Sequence, residues 1–328
     1  MRIARTLSPG HPDRACDLIA ETIVDEYLRR DPDTRMRIRV AGGKGALFVT
    51  GVVSSKADFD VGAIAVRTAG ALGVRQAIEP FVALEPISGS MLPSALRLNQ
   101  PIVVAAYAAV ETPEVVPMPV ALSRRLAKRL EDLRSADPDW FWLEPAFEVS
   151  VAERAPGETR VFVSCSHGAK PIDEVRESIR QTLASLCNTS DIRVNVHGPS
   201  EAWGLDADVG SSGTMEYPYG TGLPIMTAIS GLDPIHPLKY GTWLARDVAR
   251  RALQRSGSKA VLVQGIYDPD DDAPSYLRIR DERGRDVSEA DDLERMSVAA
   301  MTSMFHPSLN ADAARWGFAG EISLPWEA

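Results

Sequence analysis

Ser8-Pro9-Gly10-His11-Pro12-Asp13-Arg14 is the stretch on which the reading of this chain turns. Within four residues it presents an imidazole, a carboxylate and a guanidinium, on a turn stiffened by proline and loosened by glycine. Directly after it, Ala15, Leu18, Ile19, Ile23, Val24, Tyr27 and Leu28 recur at the 3.6-residue period, which predicts an amphipathic helix over 14–30. By spacing alone the turn reads equally well as a reactive element or as a proline turn carrying surface polar groups.

Working outward, 35–41 and 46–55 read as strands joined by Gly42-Gly43-Lys44-Gly45. That glycine cluster reads as a hairpin, because no helix follows to offer its amide terminus to a phosphate. A helix is predicted over 60–73. From 74 to 100 the period dissolves among Pro, Ser and Gly, which predicts a long loop, either a lid or disordered. A buried strand over 100–110 and a helix over 119–134 with a solvated cationic face come next. Strands at 147–153 and 159–166, a helix at 172–186 and a strand at 192–197 repeat the earlier two-strand-plus-helix order. Residues 198–241 are irregular and gather Asp206, Asp208, Ser211, Ser212, Tyr217, Tyr219, Asp233, His236 and Lys239, a pattern expected of a segment lining a site. A helix at 243–256, strands at 260–267 and 275–280 and a last helix at 289–305 complete three similar α+β modules.

The 328 residues exceed one ordinary domain, so two or three domains are expected. A net charge of −9 argues against nucleic acid or an anionic membrane as the main partner. Three cysteines, Cys16, Cys165 and Cys187, lack the paired spacing of a metal site and read as free thiols in a reducing compartment. No run reaches the roughly 18 apolar residues of a membrane span, so no membrane partner and a cytoplasmic location are expected.

Collinear motifs give the chain a resemblance to the S-adenosylmethionine synthetase (methionine adenosyltransferase) family. Gly10-His11-Pro12-Asp13 resembles its GHPDK, with Asp17 at the acidic position one helical turn on. Tyr107, Glu111-Thr112, Met118-Pro119 and Arg124-Arg125-Leu126 resemble its YATxET, MPxP and HRL stretches. Asp208, Gly210 and Gly213 sit as in GDxGLTG, Ser230-Gly231-Leu232-Asp233-Pro234 as in SGKDP, and Leu324-Pro325-Trp326-Glu327 as in FPWE.

The resemblance implies an α+β fold of three interleaved domains with pseudo-threefold symmetry. They would comprise residues 1–9 with 110–203, 10–88 with 204–242, and 89–109 with 243–328. It also implies a homodimer with active sites at the interface, and attack of methionine sulfur on C5′ of ATP followed by triphosphate hydrolysis. A leaving triphosphate carries about four negative charges that must be stabilised as they develop. In the family lysines, arginines, two Mg²⁺ and a K⁺ supply that.

Here the sequence departs from the family. The lysine of SGKDP is Leu232, the next lysine falls on His236, and the metal-binding aspartate after it on Leu238. The Arg-Lys pair after the TG turn falls on Thr214-Met215, and the lysine of RPDAKSQV is missing from 144–149. GDQG is replaced near Leu98-Asn99-Gln100-Pro101, and Val52 stands at the glutamate of GGEITT. Arg39 aligns with the K⁺-binding glutamate. A K⁺ site is therefore not expected, and the guanidinium of Arg39 is positioned to replace the ion's charge or to be a plain strand arginine.

By the resemblance His11 is a candidate catalytic group, and His236 and Lys239 join it from their place in the irregular segment. Asp208, Asp233, Arg39, Asn99, Gln100 and Tyr217 are candidates for holding an adenosyl substrate, ATP or S-adenosylmethionine. Asp233 reads equally as a helix cap. Asp13 is the implied metal ligand, but with Leu238 at its partner position the set is one carboxylate short for Mg²⁺. Three functions follow: a divergent synthetase with a degraded triphosphate site, a transferase or lyase of specialised metabolism that uses preformed S-adenosylmethionine, and a non-catalytic regulatory subunit.

Overall fold

A computed structural model of the chain describes residues 1–88, 91, 96, 98–187, 189–214, 217–223, 225–269, 271–306 and 308–328. Met215, one of the positions where cationic residues are lost, lies outside them.

Strand β1 (Arg2–Leu7) runs into the Ser8–Arg14 turn, and helix α1 (Pro12–Arg30) starts there. Proline at the first helical position costs nothing, since its missing N–H would have been unpaired. After α1 come β2 (Arg35–Gly43), β3 (Ala46–Ser54), α2 (Val61–Ala71), β4 (Glu79–Pro86), β5 (Ile102–Ala109) and α3 (Met118–Ala136). Next are β6 (Leu143–Glu153), β7 (Thr159–His167), α4 (Ile172–Ala184), β8 (Ile192–Val194) and β9 (Gly210–Ser211). The chain closes with α5 (Pro237–Ser256), β10 (Ala260–Tyr267), β11 (Tyr276–Asp281), α6 (Asp292–Arg295), α7 (Val298–Met304) and α8 (Leu309–Trp316).

The described strands form three sheets, ordered β1-β6-β7-β8, β4-β3-β2-β9 and β11-β10-β5. Each draws on segments far apart in the chain: β1 pairs antiparallel with β6, Arg2 opposite Glu153, and β5 pairs with β10, Ala109 opposite Ala260. Helices cover one face of each sheet and define three apolar cores. Ile19 and Ile23 of α1 pack with Ile38, Val40, Leu47 and Val49; Leu126 and Leu130 of α3 and Ile179 of α4 with Val149 and Val163. Trp243 and Val248 of α5 pack with Ala106, Val261 and Val263, and Trp243 stacks on Trp326 at 4.4 Å. Each fully buried aliphatic side chain in these cores contributes about 1.5–3 kcal/mol. The opposite face of the second sheet stays open, with Phe48 and Phe81 stacked at 4.9 Å on neighbouring strands and half exposed. All three cysteines are buried thiols.

Four expectations need correction. The stretch read as a loop over 74–100 holds β4, which runs parallel to β3 with Phe48 opposite Phe81. Pro80 and Pro86 disguise it, and an edge strand tolerates them because one row of its backbone groups needs no partner. Helix α5 starts at Pro237 instead of Trp243, capped by His236. The predicted helix over 289–305 is broken into α6 and α7, and α8 was not foreseen. The break follows from local bonds: Tyr267 Oη donates to the Met296 carbonyl at 2.7 Å, and Ser297 Oγ accepts from Ala300 N. Finally, Gly10 is not in the left-handed region; a Cβ there would lie 2.6 Å from the Pro145 backbone, so close approach is what demands glycine.

Candidate functional site

His11 is the N-cap of α1, and its Nδ1 accepts from Asp13 N at 3.3 Å, which places the ring proton on Nε2. The ring is buried and meets Trp203 edge-on at 5.0 Å. Trp203 Nε1 in turn donates to Asp208 Oδ2 at 3.2 Å, so His11, Trp203 and Asp208 form one row. Burial pushes the His11 pKa down to about 4, with Arg5 and Arg14 acting in the same direction and Asp13 and Asp208 against it. At neutral pH the group is therefore an uncharged donor.

Next along α1, Asp13 Oδ1 accepts from Ser211 N at 3.0 Å and Asp17 Oδ1 from Gly213 N at 2.8 Å. These two carboxylates strap the 210–213 turn to the helix. β9 continues the strap by pairing with β2, Ala41 opposite Ser211. Gly213, at φ +67°, would place a Cβ 2.6 Å from Arg39 Cζ, so the turn lies flat on that guanidinium. Arg39 Nη1 donates to the carbonyls of Ile38 at 3.0 Å and Ser230 at 2.5 Å. Burial lowers its pKa, while Asp17 and Glu21 oppose the shift.

At the far end, His236 caps α5 by accepting from Leu238 N at 3.2 Å, and its Nε2 donates to the Leu96 carbonyl at 3.3 Å. Both ring nitrogens are engaged, and burial lowers the pKa. A cavity of about 180 Å³ opens here between Arg37, Arg39, Leu96, Gln100, Leu232 and His236. Gln100 and Asn99 are both exposed; Gln100 lines the cavity and Asn99 does not.

Two of the predicted residues sit inside the protein. Asp233 is fully buried and accepts from Met36 N at 3.0 Å and Ile235 N at 3.1 Å, tying its segment to β2. The helix cap next to it is His236, not Asp233. Lys239 is equally buried, its Nζ 2.7 Å from Glu21 Oε2 and 2.7 Å from the Leu232 carbonyl. Tyr217 is half exposed at the rim of a larger cleft of about 350 Å³ that also includes Asp13.

The structure thus strings the sequence-derived residues along a track, from His11 and Asp208 through Asp13 and Arg39 to His236 and Gln100. Sequence reasoning missed Trp203, the link between His11 and Asp208. Its signal was a lone indole inside the irregular segment already marked as site-lining.

The fold resembled by the sequence implies Mg²⁺ and K⁺. Among the described residues no group of three or more His, Cys, Asp or Glu side chains could hold a metal ion. Asp13 has one carboxylate oxygen bound to Ser211 N, and the α5 position that the resemblance assigns to a second carboxylate is the aliphatic Leu238. A protein-held Mg²⁺ does not fit these residues. Nor does K⁺ fit beside Arg39, whose guanidinium already fills the space against the Ser230 carbonyl.

Comparison with known proteins agrees with the motif reading. Residues 2–85 match the family model described as the N-terminal domain of S-adenosylmethionine synthetase. Proteins named S-adenosylmethionine synthase are similar along nearly the whole chain. The one from Petrotoga mobilis is 24% identical over an alignment 385 positions long, covering 99% of this chain and 95% of the relative. That of Aquifex aeolicus is 24% identical over 362 residues, covering 100% and 96%. That of Maricaulis maris is 25% identical over 305 residues, covering 80% and 76%.

Proposed function

We propose, from the premise that this chain is a divergent member of the S-adenosylmethionine synthetase family, that it is an enzyme for an adenosyl substrate carrying no triphosphate. Its triphosphate site is degraded, and the substrate is preformed S-adenosylmethionine, used in transferase or lyase chemistry. One observation carries this reading: the cations along the track from the His11 turn already have partners, Arg5 with Glu148 at 3.5 Å among them. Lys239 is held by Glu21, Arg39 by two carbonyls, and Arg14 lies 3.4 Å from Asp17. To serve a triphosphate, Lys239 would have to abandon a buried carboxylate, at a cost of about 3–5 kcal/mol.

The remaining polar groups suit a cation. Asp208 is exposed and acidic, and its carboxylate is a natural acceptor for an α-ammonium group. Asp13 and Asp17 add negative potential beside it, which favours a positively charged sulfonium over a polyanion. His11, neutral with its proton on Nε2, orients the substrate by donating a hydrogen bond. Arg39 takes the place of a monovalent cation, fixing Ser230 and the 213 turn. The open sheet face carrying Phe48 and Phe81 is the surface on which a second copy would close the track, so the reading includes a homodimer.

The names of the relatives favour a second reading, in which ATP and methionine are still substrates. Calorimetry with S-adenosylmethionine, ATP and S-adenosylhomocysteine, run beside an assay of phosphate and pyrophosphate release from ATP plus methionine, separates the two. Tight S-adenosylmethionine binding without turnover of ATP is the expected result. Turnover would establish the synthetase instead, and absence of binding to all three would leave a non-catalytic subunit.

A further inference from the structure

The cleft of about 350 Å³ lies between β1, the start of α3 and residues 316–319. Its walls are largely apolar, with Val120, Tyr217 and Phe318 among them. Into this lining comes Arg124 of α3, only 8% exposed. Its Nη1 donates to the Ala319 carbonyl, and its Nε has no hydrogen-bond partner among the described residues. No described carboxylate lies within ion-pair distance of it. The nearest acids in the neighbourhood are committed elsewhere, Glu321 to Lys128 and Glu327 to Arg246 and Arg250.

Other buried cations of this chain are treated differently. Arg246 and Lys239, both wholly buried, each sit 2.6–2.7 Å from a carboxylate oxygen. A buried guanidinium lacking a counter-charge is costly, and burial indeed pushes the Arg124 pKa down while Glu321 and Glu327 oppose it from a distance. The backbone has also been cleared around it. Gly317 and Gly320 are in the left-handed region, and a Cβ at either would come within 3.4 Å of Nη2 or 3.2 Å of Nη1. Arg124 further stands where the family's HRL stretch has its histidine, so the charge is a feature of this chain.

We propose that this cleft binds a small organic carboxylate, its oxygens on the Arg124 guanidinium and its apolar body against Val120, Tyr217 and Phe318. A guanidinium fork matches a carboxylate in two parallel hydrogen bonds. Arg5 and Arg14 also line the cleft, but Arg5 pairs with Glu148 at 3.5 Å and Arg14 with Asp17 at 3.4 Å; with Asp13 beside them, a single charge is favoured over a polyanion. The inference does not depend on which adenosyl reaction the protein carries out.

Calorimetry on the full chain tests it with 3-phenylpropionate, its uncharged amide, acetate and tripolyphosphate as probes. The acid should bind more tightly than the other three, and Arg124→Met should weaken it roughly 10-fold or more. Arg124→Lys should recover part of the loss. Should Arg124→Met fail to fold, Tyr217→Ala, at a half-exposed wall position, must still weaken the acid several-fold. Equal binding of acid and amide would overturn the proposal, as would tighter binding of tripolyphosphate, unchanged affinity in folded Arg124→Met, or no binding of the acid at millimolar concentration.

Discussion

Lys239 and Glu21 form an ion pair of 2.7 Å with neither side chain more than 2% exposed, and it joins the first helix to the fifth. Burial pushes Glu21 upward and the Lys239 charge pulls it back. In such a pair the partners depend on each other, because either charge left alone is a buried, uncompensated ion. Lys239→Met should therefore destabilise the protein by about 3–5 kcal/mol, and Glu21→Leu added to it should restore most of the loss. Urea unfolding of the two single variants and the double variant checks this; additive losses would refute the coupling.

His11 gives a pH prediction. Its folded pKa of about 4 lies below the ordinary 6.5, so between these values the unfolded chain binds the extra proton. Stability tied to His11 is thus fully present above about 6.5 and is lost as the pH falls toward 4. An NMR titration should show the His11 ring neutral down to about pH 4, and His11→Gln should flatten the acid limb of the stability profile. A ring that titrates near 6.5 would contradict the placement.

Gly10 is a steric prediction. A Cβ at this residue would lie 2.6 Å from the backbone of Pro145, which cannot step aside as a flexible side chain could. Gly10→Ala should cost about 1–3 kcal/mol by forcing the turn off β6. It should also disturb the Ser8 Oγ bond to the Pro145 carbonyl, 2.7 Å in the native chain. Unchanged denaturant midpoints would show that the turn has slack.

Arg39 gives an ion prediction. With its guanidinium on the Ser230 carbonyl, affinity for S-adenosylmethionine should be the same in potassium and in N-methylglucamine buffers. Arg39→Glu should introduce a dependence on K⁺. A potassium requirement in the wild-type protein would sink the assignment.

Much of this was legible in the residues. The period from Ala15 to Leu28 found α1, and alternation found β2, β3, β6 and β7, because one buried face imposes a repeat on the sequence. Strand β4 was hidden since an exposed edge imposes no such repeat, and its prolines looked like breakers. The start of α5 was hidden because Pro237 signals a stop until the His236 cap is seen. The site was legible in its residue types but not in their availability. Nothing in the spelling of Lys239 says that Glu21, 218 positions away, already holds it.

The pairing of β1 with β6 has a consequence for biosynthesis. Residues 2–7 leave the ribosome well before 148–153, which hold their hydrogen-bond partners. At about 5–20 residues per second, that edge remains unpartnered for roughly 10 to 30 s. Throughout that interval it is a bare strand next to the very turn the site depends on, open to pairing with other nascent chains. The polar side chains along it, Arg2, Arg5 and Thr6, then shield it, and chaperone demand should be highest until residues 148–153 have been made.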